Sequence, residues 1–172
     1  PLSGELGREG KGNAIAFGGG SARGVSINRN KRSIAVDLKK PEGKEIILAL
    51  TPTSHIVLQN FRPGVMERLG LGYEELRKIN PKVIYACGSG YGPRGPYCMK
   101  GGQDRAAMAY AGVTGIQRDL DGPPIPIAAS VADITAGMFM AHGILLAIIY
   151  AERTGRGQRV DVSLLDGQLA LI

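Results

Sequence analysis

From residue 33 onward, hydrophobic and polar positions alternate in a regular order of elements. SIAVDLK (33–39) is short and β-rich and predicts a strand. PEGKEIILALT follows, with Pro41 suited to a helix's first turn and apolar residues at Ile46, Ile47 and Leu50. HIVLQNF (55–61) reads as a second strand of the buried type. PGVMERLGLGYEELRKINP predicts two short helices, broken around Gly70 and Gly72 and stopped before Pro81. KVIYACGSGYG is a third strand running into a glycine turn. Strands and helices in this alternation, with short connections, predict right-handed βαβ units. The expected class is α/β: a partial Rossmann-like parallel sheet with helices on both faces. Ligands of such sheets bind beyond the carboxyl ends of the strands. Those ends here are Lys39, residues 60–64 and residues 88–92.

The second half has a different texture. GGQDRAAMAYAGVTG predicts a helix of small residues, and RDLDGPPIPIA a Pro-rich loop. A long run, nearly free of charge, extends from Asp133 to Arg153 and ends in RTGRG. QRVDVSL then reads as a strand and LDGQLALI as a helix. Since that helix stops with the chain, truncation is expected.

Asp133, at the mouth of the long run, has three possible roles. As a membrane flank it would precede residues 134–150, which carry no charge and lie at the short edge for a span. Thr135, Gly137, His142 and Gly143 dilute that stretch. A long buried helix of a soluble core is the better reading, with Ala136, Gly137, Ala141, Gly143 and Ala147 allowing close packing and His142 as a satisfied core histidine. As a cap, Asp133 completes Ser130-Val131-Ala132-Asp133, which has the S-x-x-[DE] form of a capping box. As a nucleophile, it would be a carboxylate kept ionised by a helix N-terminus, able to attack an activated acyl group. Cap and nucleophile are compatible. Asp104, after two glycines and opening a helix, reads as an N-terminal cap or as a second active-site acid.

Composition narrows the partners. Gly supplies 26 of 172 residues, roughly twice the usual share, without a period. Residues 1–27 are expected to be poorly structured. FGGGSARG has phosphate-loop composition, but no Gly-Lys-Ser/Thr closes it, so a flexible loop is expected. The net charge of +6 favours an anionic partner. Nucleic acid is disfavoured: there is no Trp, and aromatics do not interleave with the short basic cluster NRNKRS, which reads as a solvated loop. Cys87 and Cys98 lack metal-ligand spacing and fit a reducing cytoplasm as buried or inert thiols. The opening PLSGELGREGKGNAIAFGGG has no apolar signal segment. A cytoplasmic location without membrane contact is expected.

Several segments, quoted in order, carry a family resemblance: NRNKRSIAVDLKKPEGKE, QNFRPGVMERLGLGYEELRKINPKVIYACGSGYGPRGPY, GGQDRAAMAYAGVTG and DGPPIPIAASVADITAGMFMAHGILLAIIYAERTGRGQRVDVSLLD. From Asn28 to the end the chain resembles the family III CoA-transferases of CaiB/BaiF type, a group that includes the α-methylacyl-CoA racemases. The resemblance implies a large-domain core over residues 28–172. It implies that Asp133 attacks an acyl-CoA thioester, and that CoA moves to a carboxylic acid acceptor through aspartyl anhydride and aspartyl-CoA thioester intermediates, without a metal. It makes Asp104 a modulator or proton handler. It places Asn60, Phe61 and Arg62 near the nucleotide, with Arg68 and Lys39 for phosphate or adenine. A homodimer of interlocked chains is implied as well. The family's opening strand–helix–strand and its C-terminal small domain find no counterpart here, so a CoA-binding remnant without turnover is the alternative. A racemase is a further one, disfavoured because Gln103 stands where that branch has a histidine, and a glutamine is no general base.

Overall fold

The computed structural model describes residues 16–17, 20–116, 121–125 and 127–172. The chain divides into two compact units, Pro1–Leu38 and Lys39–Ile172. In the first, strands β1 (Ala16–Phe17) and β2 (Gly20–Ser21) pair antiparallel, and helix α1 (Ala22–Ile27) follows. The stretch FGGGSARG therefore holds a strand and a helix start where a loop was expected. Its residues 18 and 19, like residues 1–15, lie outside the described residues, as do 117–120 and 126 of the Pro-rich loop.

The expected strand over 33–39 does not form: residues 31–37 have no regular structure and 38–40 turn. β-Propensity describes fit to a pleated surface, and without a ladder beside it a β-rich run does not become a strand.

The second unit starts with α2 (Pro41–Leu50), with Pro41 in the first turn, and a 3₁₀ turn at Thr51–Thr53. Strands β3 (Ile56–Gln59), β4 (Ile84–Ser89) and β5 (Arg159–Ser163) form a parallel sheet in the order β3-β4-β5. Its registers pair Ile56 with Ile84 and Tyr85 with Arg159. Helices α3 (Val65–Arg68) and α4 (Tyr73–Ile79) connect the first two strands, broken by Gly70 at φ +73°. Position in the sheet decides burial. Central β4 is buried from Ile84 to Cys87, as is Val83 just before it. Edge strand β3 alternates between exposed and half-buried, and Leu58 is 61% exposed, so HIVLQNF is not buried as expected.

Tyr85 anchors this core. Its hydroxyl donates to the Leu71 carbonyl at 3.1 Å, and burial pushes its phenol well above the usual range. Burial of Leu71 and Leu76 contributes about 1.5–3 kcal/mol each. Burial likewise raises the Cys87 thiol, so it stays protonated.

Helices α5 (Asp104–Tyr110) and α6 (Val113–Ile116) precede α7 (Val131–Thr154), which ends at Gly155 in the left-handed region, φ +71°. α7 has the length and composition of a membrane span. One stripe of it, carrying Ala132, Met140, Ala147 and Ala151, is buried, and the helix packs against β4, β5, α5 and α8 (Leu164–Leu169). Much of the rest of α7 is exposed, including His142, which was expected in the core. His142 lies two positions from Met140, about 200° around the helix, and so falls off the packed stripe.

Within the second unit, two glycines bring backbone against backbone. A Cβ on Gly102 would lie 2.1 Å from the Gly90 Cα, and one on Gly90 2.4 Å from the Gly102 Cα. Backbone therefore lies directly on backbone where β4 exits and the GGQD segment enters α5. Gly137, by contrast, is helical with nothing within 4 Å of a Cβ. In thermal unfolding we expect Gly102→Ala to cost about 1–3 kcal/mol. Gly137→Ala should be neutral or stabilising by up to about 1 kcal/mol.

Candidate functional site

Beyond the carboxyl ends of the three strands lies a cavity of about 730 Å³. One wall is the exit of β3, from Leu58 to Pro63. The floor is Gly88, Ser89 and Gly90 from β4, with Val162 and Leu164 beside it. The opposite wall is Lys100, Gly101, Gly102, Gln103 and Ala106. Asp133, Ala136, Gly137 and Met140 of α7 close it. Among the lining residues Asp133 is the single acid, and Arg62 and Lys100 are the cations.

Local chemistry turns β3 into this wall. The Phe61 N–H donates to Gln59 Oε1 at 2.7 Å, which bends the chain off the strand, and Gly64 at φ +80° starts α3. Asn60, Phe61 and Arg62 thus reach the cavity together from the end of β3. The Arg62 guanidinium lies across Gly101, where a Cβ would be 3.1 Å from Nη2. Arg68 and Lys39 are not on the cavity wall. Arg68 folds back so that a Cβ on Gly64 would be 3.0 Å from its Nη1, and Lys39 sits in the turn before α2 rather than at a strand end.

Asp133 occupies the first turn of α7, exposed, where the helix's partial positive charge favours a carboxylate. The Ser130 side chain makes no cap hydrogen bond, so the serine half of the expected capping box is missing. The N–H of Asp133 donates instead to Asp104 Oδ1 at 2.9 Å. Asp104 is thus a cap, but for α7 rather than for its own helix, whose N-cap is Gln103. The same S-x-x-D spelling does close at α8. There Ser163 Oγ accepts the Asp166 N–H at 2.9 Å and donates to Asp166 Oδ2 at 2.7 Å. At α7 the backbone N–H that a local cap would take goes to Asp104 of another helix instead.

Several lining residues were not singled out from the sequence. Lys100 is one, four positions before Asp104, and a cation beside the expected acid was its available signal. Its Nζ sits 3.9 Å above the Tyr97 ring. Tyr91, Tyr97 and Tyr110 pack ring to ring at 5.2–5.8 Å and carry it. Ser89 and Met140 had no signal beyond their elements. Among the described residues there is no cluster of three metal-ligating side chains.

An acid at a helix start, neighbouring cations and a cavity at the strand ends suit attack on an electrophile bearing an anionic handle. Comparison with known proteins puts this site in context. The profile of CoA-transferase family III matches residues 1–172, so it takes in the Gly-rich opening as well. The chain belongs to that family. It is 48% identical over 148 residues to an acyl-CoA transferase of Fusarium pseudograminearum, covering 86% of this chain and 32% of that protein. To an acetyl-CoA:oxalate CoA-transferase of Acetobacter aceti it is 42% identical, over 85% and 38%. A crystal structure of a CaiB/BaiF family protein from Brucella suis superposes with a TM-score of 0.91 at 33% identity, covering 98% of this chain and 45% of that one. The chain thus spans about a third of the length of these curated relatives. The Brucella suis match also bears out the α/β class.

The α7 cap makes a stability prediction. In urea unfolding, Asp104→Ala and Ser163→Ala should each cost about 1 kcal/mol, whereas Ser130→Ala should cost less than about 0.5 kcal/mol. A Ser130→Ala loss equal to that of Asp104→Ala would contradict the assignment.

Proposed function

We propose that this chain carries the nucleophilic half of a family III CoA-transferase site, with Asp133 as the attacking group. The observation that carries the reading is Asp133's place as the single acid on a cationic cavity wall, at the N-terminus of a 24-residue helix. Its carboxylate attacks the thioester carbonyl carbon. The C–S bond breaks, CoA leaves as thiolate, and a mixed anhydride remains. The thiolate then attacks the aspartyl carbon, expelling the donor's carboxylate and leaving an aspartyl-CoA thioester. The acceptor carboxylate attacks that carbon to form a second anhydride, and the thiolate takes the acceptor acyl group. Asp133 is regenerated, and no proton or electron is gained or lost overall.

Each intermediate is activated, so the site must hold oxyanions and exclude water. N–H groups of the cavity's glycine turns and the Arg62 and Lys100 cations supply suitable donors. The two cations also suit the phosphates of CoA or the second carboxylate of a small diacid. Relatives named for oxalate, D-citramalate and glutarate support a dicarboxylate acceptor. Asp104, occupied by the Asp133 N–H, acts as a positioning residue in this reading. Gln103 lines the cavity where an α-proton base would be needed, which favours transfer over racemisation.

The test is to incubate the protein with an acyl-CoA, quench with hydroxylamine and analyse the Asp133 peptide by mass spectrometry. A hydroxamate at Asp133 is expected in the wild type and none in Asp133→Asn, whose acyl-CoA affinity should stay within severalfold. Bound acyl-CoA without any adduct in the wild type would make this chain a binding module.

A further inference from the structure

Gln168 is fully buried on α8, in the last turn of that short helix. A long polar side chain rarely goes inside unless its polar atoms are used. Gln168 Nε2 donates to Thr135 Oγ1 at 2.8 Å, while its Oε1 is buried without a partner. The direction of the amide is dictated by Thr135, whose hydroxyl proton is committed to the Val131 carbonyl, so Oγ1 can only accept from Gln168. Val131 opens α7, and Thr135 lies two residues beyond Asp133. The helices touch closely here: a Cβ on Gly167 would lie 3.4 Å from the Ala136 N.

We propose that Gln168 is a positioning residue for Asp133, acting through Thr135 on the first turn of α7. The inference rests on the reading of Asp133 as nucleophile, and it adds a second restraint to that carboxylate's backbone. A first helical turn is the part of a helix that frays, because its own N–H groups lack intrahelical acceptors. In α7 the turn is tied from both sides. Asp104 of α5 holds the Asp133 N–H, and Gln168 of α8 holds the Thr135 hydroxyl, which in turn holds the Val131 carbonyl. An orphaned buried oxygen is a standing cost to stability. A Leu of similar size would relieve it, so stability alone gives no reason for glutamine at this position. Precision in the turn carrying Asp133 does, since small displacements of a nucleophile cost large factors in rate.

The test uses Gln168→Leu and the double variant Gln168→Leu/Thr135→Val, which leaves no orphaned donor or acceptor and so keeps folding intact. Amide hydrogen exchange is followed over residues 130–138, beside the melting temperature and the rate of Asp133 acylation by saturating acyl-CoA. We expect exchange in that segment to rise about tenfold, the scale of one lost hydrogen bond, with melting no lower than in the wild type. Acylation should slow about tenfold with acyl-CoA affinity within twofold. Thr135→Ser, which keeps the hydroxyl, should behave as wild type. Unchanged exchange over 130–138 would overturn the proposal, as would faster exchange throughout the chain with a lower melting temperature. A wild type that never acylates at Asp133 would fail the transferase reading instead, while the exchange measurement still decides whether Gln168 holds the turn.

Discussion

One hydrogen bond organises the site: the Asp133 N–H donating to the Asp104 carboxylate. A helix start leaves its first N–H groups without intrahelical acceptors, and something must take them. The usual solution is local, a side chain at the N-cap, and α8 uses it through Ser163 and Asp166. α7 is capped from a different helix. The Asp133 side chain itself lines the cavity wall.

That arrangement requires α5 to arrive in the right place. The close contact of Gly90 with Gly102 sets it, because the segment leading into Asp104 lies directly on the turn that ends β4. Any side chain at either position would lift α5 away and carry Asp104 with it. The sheet's central strand, two glycines, a short helix and a carboxylate thus form one chain of constraints ending at the Asp133 N–H. The cations of the wall are held by similar means, Arg62 across Gly101 and Lys100 above the Tyr97 ring.

Much of this was legible in the sequence, for physical reasons. Helix and strand periods differ, and the glycines and prolines that separate them occur where turns are needed, so the order from α2 to α8 could be read directly, except that the one helix expected over GGQDRAAMAYAGVTG forms as two, α5 and α6. The pattern alone put residues 60–64 at a strand end and Asp133 at a helix start, while their roles toward CoA came only with the family resemblance. What escaped depends on neighbours remote in sequence. Residues 33–39 have strand composition but no ladder. His142 and Met140 differ by two positions, and only the direction of the packed stripe tells them apart. S-x-x-D occurs twice, at Ser130 and at Ser163, and the pattern does not reveal that the first is overridden by Asp104. Gln168 carries no signal in the sequence, and only its contact with Thr135 marks it out.

The central claim is that Asp104 serves the backbone of α7 rather than handling protons. Asn keeps an oxygen able to accept the Asp133 N–H but carries no titratable proton, so the most direct measurement compares Asp133 acylation in Asp104→Asn and Asp104→Ala. The account predicts that Asp104→Asn acylates within severalfold of the wild type while Asp104→Ala loses most of the rate. Equal and severe loss in both variants would contradict it, because the charge or proton of Asp104, and not its hydrogen bond to the helix start, would then be what the site requires.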